Sequence, residues 1–118
     1  MDIERAAVLL EALGNPTRLR MVLELGRAGA AGLPVAVLQD RVGVGAKSTA
    51  SHHIGHLVRA GLVTQERQST TLVCRVEQGP MADLSAYVTR SLAPYTGQGT
   101  DGATGDAMRR SAGPPMGS

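Results

Sequence analysis

The segment SHHIGHLVRAGLV, residues 51–63, contains all three histidines of the chain and the pattern that decides its fold. His52 and His56 are four residues apart, so on an α-helix they share a face. Gly61 is a typical C-terminal cap, and the sequence predicts a helix over residues 46–60 that ends there. The side of this helix expected to be buried consists of Ala50, Ile54, Leu57 and Val58.

The residues on either side of this helix predict a mainly helical fold. Three shorter helices are expected before it, over residues 2–13, 16–26 and 33–41. After Gly61 the polarity alternates with a period of two, which predicts a β-hairpin over residues 62–76 joined at Gln68 and Ser69. A last helix is expected over residues 80–92. The order α-α-α-α-β-β-α is typical of a winged helix-turn-helix, an α+β fold.

Apolar stripes on the other helices indicate further packing faces. On the second helix Leu19, Val22 and Leu23 are expected to face inward, with Arg18 and Arg20 off that face. A core with two Tyr, no Phe and no Trp is small, so burial by a second copy of the chain is expected. Apolar stripes also run along the first and last helices: Ile3, Ala6, Leu10, Met81, Leu84, Val88 and Leu92.

The outward face of helix 46–60 is polar and basic. His52 points away from the apolar stripe, His56 flanks it, and His53 lies at the border, where packing or an internal hydrogen bond is expected. Hydroxyls, imidazoles and cations suit base edges and phosphates, and the hairpin tip carries similar groups. The predicted DNA-binding residues are Lys47, Ser48, Thr49, Ser51, His52, His56, Arg59, Arg67, Ser69 and Thr70.

Charge is concentrated in the same third of the chain. The net charge of the whole chain is only +2, but residues 41–75 hold five Lys and Arg against a single acid, Glu66. A local excess of +4, the difference between those five bases and one acid, favours a polyanionic partner.

The three histidines also raise the alternative of a metal site or an active site. The HHIGH segment has the spacing of H-E-x-x-H, but His53 stands where the general base Glu would be. Cys74 is the only cysteine and is expected on the covered side of the hairpin, away from His52. We therefore expect no resident metal and no cofactor, and we find no catalytic constellation for an enzyme.

Two segments resemble one family of regulators. ALGNPTRLRMVLEL resembles the opening of ArsR/SmtB-type transcriptional regulators, and STASHHIGHLVRAGLVTQER resembles their recognition helix and the start of their wing. The resemblance covers residues 5–92. It implies a homodimeric repressor that binds an inverted repeat in double-stranded DNA and is released by an inducer, commonly a metal or metalloid ion. It also implies that the first and last helices form the dimer interface, so the predicted dimer-interface residues are Ile3, Ala6, Leu10, Met81, Leu84, Val88 and Leu92.

The sensing residues of the family are incomplete here. Where arsenic- and cadmium-sensing members carry a cysteine pair, this chain reads LPVAVLQD, and Asp83 stands alone where other members use Asp and His on the last helix. Cys74 matches a wing cysteine of another branch. That branch also carries a Cys-Cys pair at the end of the last helix, and this chain reads TRSLAPY there. The signal thus stays open between a small inducer, a metal site shared between subunits and oxidation of Cys74.

Two further expectations complete the sequence analysis. Residues 1–93 are expected to form the DNA-binding and dimerisation domain, and residues 94–118, with six Gly and three Pro, a disordered tail. The acidic N-terminus is unlike a secretory signal and no long apolar run is present, so a cytoplasmic protein without membrane contact is expected. The competing hypothesis is a winged-helix module that binds a protein instead of DNA.

Overall fold

The computed structural model describes residues 1–93, and residues Met1–Ser85 form one compact unit. Its helices are α1 (Ile3–Leu13), α2 (Pro16–Ala28), α3 (Val35–Val42) and α4 (Lys47–Ala60), and α5 (Gln78–Tyr87) begins in it. Its strands are β1 (Leu33–Pro34), β2 (Val63–Gln68) and β3 (Thr71–Val76). A single 3-10 turn, Gly29–Ala31, follows α2. The winged helix-turn-helix architecture predicted from the sequence is confirmed.

Local sequence signals start and stop these helices. The Asp2 carboxylate accepts a hydrogen bond from the Arg5 amide at 2.7 Å and so caps α1. The Asn15 side chain does the same for α2, accepting from the amides of Thr17 and Arg18, with Pro16 in the first turn. At the end of α4, Gly61 has a φ of 84°, a left-handed conformation that glycine adopts without steric cost.

The sheet has one strand more than expected. β1 pairs antiparallel with β3, so that the order is β1-β3-β2 and Cys74 lies between Leu33 and Gln65. A two-residue strand has no alternation of its own, so β1 could not be predicted from the polarity pattern. The hairpin turn is Ser69 and Thr70, one residue later than expected, and Ser69 has a positive φ of 60°.

The core is aliphatic. Its largest fully buried side chains come from every helix of α1–α4 and from the sheet: Leu9, Met21, Leu25, Leu38, Ile54, Leu57, Leu62, Val63 and Cys74. The expected face of α2 was wrong, because Leu19 and Leu23 are 43% and 52% exposed while Arg18 is only 8% exposed. Val22 is buried as expected.

The predicted dimer residues divide into two groups. Ala6 and Leu84 are 2% and 4% exposed, so they pack in the core of the chain itself. Ile3 and Leu10 are 68% and 40% exposed, and Met81 is half-buried. Within residues 1–93, the exposed surface of α1 therefore includes large apolar side chains beside Glu4 and Glu11.

The second compact unit starts at Ala86, and the structure describes residues 86–93 of it. Here the helix ends at Tyr87 and passes into a π-helical segment, Val88–Leu92, where a continuous α-helix was expected. Val88 is half-buried and Leu92 is 61% exposed. The predicted tail, residues 94–118, lies outside the described residues. No helix within residues 1–93 is long and apolar enough to cross a bilayer.

Candidate nucleic-acid interface

The first turns of α4 present polar side chains to solvent. Ala50 is buried and anchors this part of the helix, while its neighbours are exposed. Ala46 offers no side-chain cap, so the first amides of α4 have no side-chain acceptor and the positive end of the helix dipole is free for an anion. The exposed side chains here are Lys47, Ser48, Thr49, Ser51 and His52.

A cleft separates the start of α4 from the β-hairpin. Its volume is about 540 Å³, and α3, α4 and both hairpin strands contribute to its walls. Lys47 and Ser51 line it from the helix, and Arg67 and Thr70 line it from the hairpin. The structure thus brings these four predicted DNA-binding residues to one opening, while Ser69 is exposed at the adjacent turn. Gln39, Gln65 and Thr71 also line the cleft.

Internal ion pairs account for two of the five cations in residues 41–75. Arg41 lies 3.8 Å from Glu24, and Arg75 lies 2.7 Å from Glu66 while also donating to the Ala30 carbonyl. Within residues 1–93 the remaining three, Lys47, Arg59 and Arg67, have no carboxylate within 4 Å. The local charge available to an anion is therefore concentrated on α4 and the hairpin.

Arg59 lies along α4 and covers Gly55. A Cβ added at Gly55 would lie 3.2 Å from Nη1 of Arg59. The absence of a side chain at Gly55 therefore leaves room for the guanidinium of Arg59.

His56 does not share the free outward face. Its Nε2 lies 2.8 Å from Oε1 of Glu11 on α1, and its side chain is 27% exposed. α4 itself carries no acid, but Glu11, 45 residues away in sequence, reaches this side of it from α1. His56 is thus held by the protein itself, unlike His52.

His53 makes the internal contact expected of a border position. Its Nδ1 lies 3.3 Å from Nη1 of Arg18, and its side chain is half-buried. Desolvation lowers the pKa of His53, and the positive charges of Arg18, His52 and His56 lower it further. The neutral imidazole is therefore favoured at this position.

Cys74 is fully buried on β3, on the covered side of the sheet as expected. Burial raises the pKa of its thiol, against a small opposing effect of the Gln65 amide 3.9 Å from Sγ. A protonated, enclosed thiol is a weak nucleophile and a weak metal ligand. Within residues 1–93 no three His, Cys, Asp or Glu side chains come together as a metal site.

Three residues near α4 and the cleft were not predicted from the sequence: Glu11, Arg18 and Gln65. Arg18 and Glu11 reach α4 from other helices, and no local pattern reveals such a contact. Gln65 could have been found, since it lies two residues from Arg67 on one strand and so shares its face.

Comparisons with known proteins point to one class. Residues 13–66 match a family described as a helix-turn-helix domain. No curated protein sequence matches the chain. Among solved structures, the transcriptional repressor BigR from Xylella fastidiosa is 29% identical, with a TM-score of 0.56 over 72% of this chain and 84% of that one.

Two further solved structures bear on the fold. An ArsR-like transcriptional regulator from Rhodococcus sp. RHA1 is 20% identical and covers 92% of this chain and 89% of its own, with a TM-score of 0.64. A homodimeric winged helix-turn-helix DNA-binding domain from Mycobacterium bovis is also 20% identical, with a TM-score of 0.62 over 84% of this chain and 90% of that one.

Proposed function

Because this chain is an ArsR/SmtB-like winged helix-turn-helix transcriptional regulator that binds DNA, we propose that it acts as a homodimeric repressor on an inverted-repeat operator. Each protomer places the start of α4 in a major groove and its hairpin against the neighbouring backbone. It is a regulator and not an enzyme. We place it in the cytoplasm, together with the DNA it controls.

One observation carries this proposal: exposed hydroxyl, imidazole and cationic side chains on α4 adjoin a cleft whose other wall is basic. Ser48, Thr49 and His52 project from α4 and are assigned to base edges. Lys47 and Arg67 lie on opposite walls of the cleft and are assigned to phosphates.

The remaining members of the predicted interface take secondary roles. Ser51, Ser69 and Thr70 are exposed and are assigned to phosphate oxygens. Arg59 is exposed beyond Gly55 and supplies charge. His56 is removed from direct readout, because its Nε2 is already paired with Glu11.

Dimerisation is supported by uncovered apolar side chains. On α1, Ile3, Val8 and Leu10 are each at least 40% exposed, and Leu92 is 61% exposed. Large apolar side chains in such numbers on one helix favour burial by a partner. The Mycobacterium bovis domain that this fold resembles is homodimeric. A second copy is the partner we assign.

The signal that controls binding is a small inducer in this proposal. A redox signal through Cys74 has weak support, because the thiol is buried and its pKa is raised. A metal inducer would need ligands from a second subunit or from residues 94–118, since residues 1–93 bring no three ligand side chains together.

The test is a gel-shift titration on DNA taken from upstream of the protein's own gene, at several salt concentrations. The proposal predicts a shifted band that weakens steeply with salt. Lys47→Ala combined with Arg67→Ala should abolish the shift, whereas Arg27→Ala, which removes an exposed cation paired with Glu24, should leave it unchanged. A protein-binding module would give no salt-dependent shift.

The same titration tests the signal. It is repeated with Zn²⁺, Ni²⁺, arsenite and peroxide, each against the Cys74→Ala variant. We expect peroxide to leave the wild-type shift unchanged. Release by peroxide that disappears in Cys74→Ala would establish the redox alternative in place of a small inducer.

A further inference from the structure

Arg18 is the one charged side chain within residues 1–93 that is almost fully buried, at 8% exposure. It projects from α2 between the end of α1 and the middle of α4. Its Nε donates to the Ala12 carbonyl at 2.6 Å and its Nη2 to the Glu11 carbonyl at 3.4 Å. Its Nη1 lies 3.3 Å from Nδ1 of His53. One guanidinium therefore links α1, α2 and α4.

The chemistry of this contact fixes the state of His53. A guanidinium can only donate hydrogen bonds, so Nδ1 of His53 must accept. An imidazole that accepts at Nδ1 is neutral and carries its proton on Nε2. An imidazolium has a proton on both nitrogens, so protonation would remove the acceptor and place a second positive charge beside Arg18.

We propose that Arg18 positions the DNA-recognition helix through His53, and that this contact holds only while His53 is neutral. The inference rests on the proposed role of α4 in reading DNA. Arg18 and His53 act as positioning residues, since neither belongs to the exposed face of the helix. Acid then weakens operator binding by releasing the middle of α4 from α2.

Several other charged or titratable groups surround the Arg18–His53 contact. On α4 itself, the His52 ring centroid lies 5.7 Å from that of His53, and His56 follows one turn later. From α1, Glu11 lies 3.9 Å from Arg18 and 2.8 Å from His56. The charges of β2, Glu66 and Arg67, do not contribute to the shifted pKa of His53.

Acid therefore acts on the contact between α2 and α4. Protonation of His53 breaks its pairing with Arg18. The pKa of His53 in the folded protein is lowered. The contribution of the Arg18–His53 contact to DNA affinity is therefore complete above the ordinary histidine pKa near ~6.5, and it is lost as pH falls through the lowered pKa.

The direct test observes His53 without DNA. Nitrogen chemical shifts of the three imidazoles are followed by NMR between about pH 5 and 8 in the full chain. We expect His53 to hold its proton on Nε2 at neutral pH and to titrate below the ordinary range. Arg18→Lys keeps the positive charge but loses the planar guanidinium, whose three nitrogens each meet a different acceptor. In this variant His53 should become a mixture of both neutral tautomers. An unchanged tautomer in that variant overturns the proposal.

A second experiment measures DNA affinity, and it does not depend on whether Arg18→Lys folds. His53→Asn places an amide oxygen where Nδ1 was, so it keeps the acceptor but cannot be protonated. We expect its affinity at pH 7.5 to match wild type within about twofold. Between pH 7.5 and 5.5 the wild type should lose several-fold more affinity than His53→Asn, but less than about tenfold more, because one proton is linked and its pKa lies below the ordinary histidine value near ~6.5.

Matched controls separate the other histidines. His52→Asn removes an exposed imidazole, and His56→Gln keeps a donor toward Glu11 without titrating. Neither should remove the loss of affinity in acid. Equal pH profiles for wild type and His53→Asn overturn the positioning role. Failure of the wild type to bind DNA at pH 7.5 overturns the proposed function instead, and leaves the NMR result to decide the Arg18–His53 contact.

Discussion

The two halves of α4 differ in composition and in the contacts that hold them. In the first half, Lys47–His52, every side chain but Ala50 is exposed, and none forms a hydrogen bond or ion pair within residues 1–93. In the second half, His53 is tied to α2 and His56 to α1. The difference teaches that the second half fixes the helix in the protein, whereas the first half is exposed and, in the proposed function, meets DNA.

The largest expected effect comes from breaking the buried side of the second half. Ile54 is 1% exposed, and Ile54→Ala should lower the free energy of unfolding by about 2–5 kcal/mol through lost burial and a cavity. Thr49→Ala, at an exposed position of the first half, should change it by about 0.5 kcal/mol or less. Urea denaturation of both variants measures the contrast. Similar losses of unfolding free energy in the two variants would show that both halves of α4 hold the helix in the protein.

The next effect concerns readout by the first half. His52→Ala should weaken binding to operator DNA by about 1–3 kcal/mol, as expected for loss of a base contact. Binding to random DNA should change much less, because phosphate contacts carry it. Fluorescence anisotropy on both DNAs gives the comparison. Equal losses on operator and random DNA would remove His52 from base readout.

A smaller and unselective effect is expected for the hairpin. Arg67→Ala should weaken binding to every DNA sequence and reduce the slope of log affinity against log salt by about 1. Arg75→Ala is the matched control, because Arg75 is already paired with Glu66 and the Ala30 carbonyl. If the salt slope stays the same in Arg67→Ala, Arg67 does not contact phosphate.

The smallest effect is expected for His56. Its pairing with Glu11 is partly solvated, with the Glu11 side chain 66% exposed, so His56→Ala should lower stability by at most about 1 kcal/mol. Operator preference should be unaffected. Thermal unfolding and anisotropy check the two statements. A loss of operator preference comparable to that of His52→Ala would show that His56 does contact the bases.

Most of the fold follows from local signals. The cap residues Asn15 and Gly61 mark the start of α2 and the end of α4, and the switch to a period of two marks the hairpin. β1 could not be predicted, because a strand of two residues exists only through its pairing with β3. The inward face of α2 was misjudged because Arg18 is long enough to satisfy its guanidinium on carbonyls of α1 while buried.

The site was predictable where it depends on helix geometry alone. The exposure of Ser48 and His52 and the border position of His53 follow from 100° per residue. The state of His56 does not, because it depends on Glu11, which is far away in sequence. Pairing of Arg41 and Arg75 with acids also depends on tertiary contacts, so the charge of residues 41–75 overstated the cations available to DNA.

The most direct test of the account is selection of binding sites from random DNA with wild type, His52→Ala and His56→Ala. The account predicts that wild type enriches an inverted repeat whose half-sites are centred about one helical turn apart. His52→Ala should lose the preference at one position of each half-site, and His56→Ala should retain every position. An identical enriched sequence for wild type and His52→Ala would contradict the claim that the first half of α4 reads the DNA.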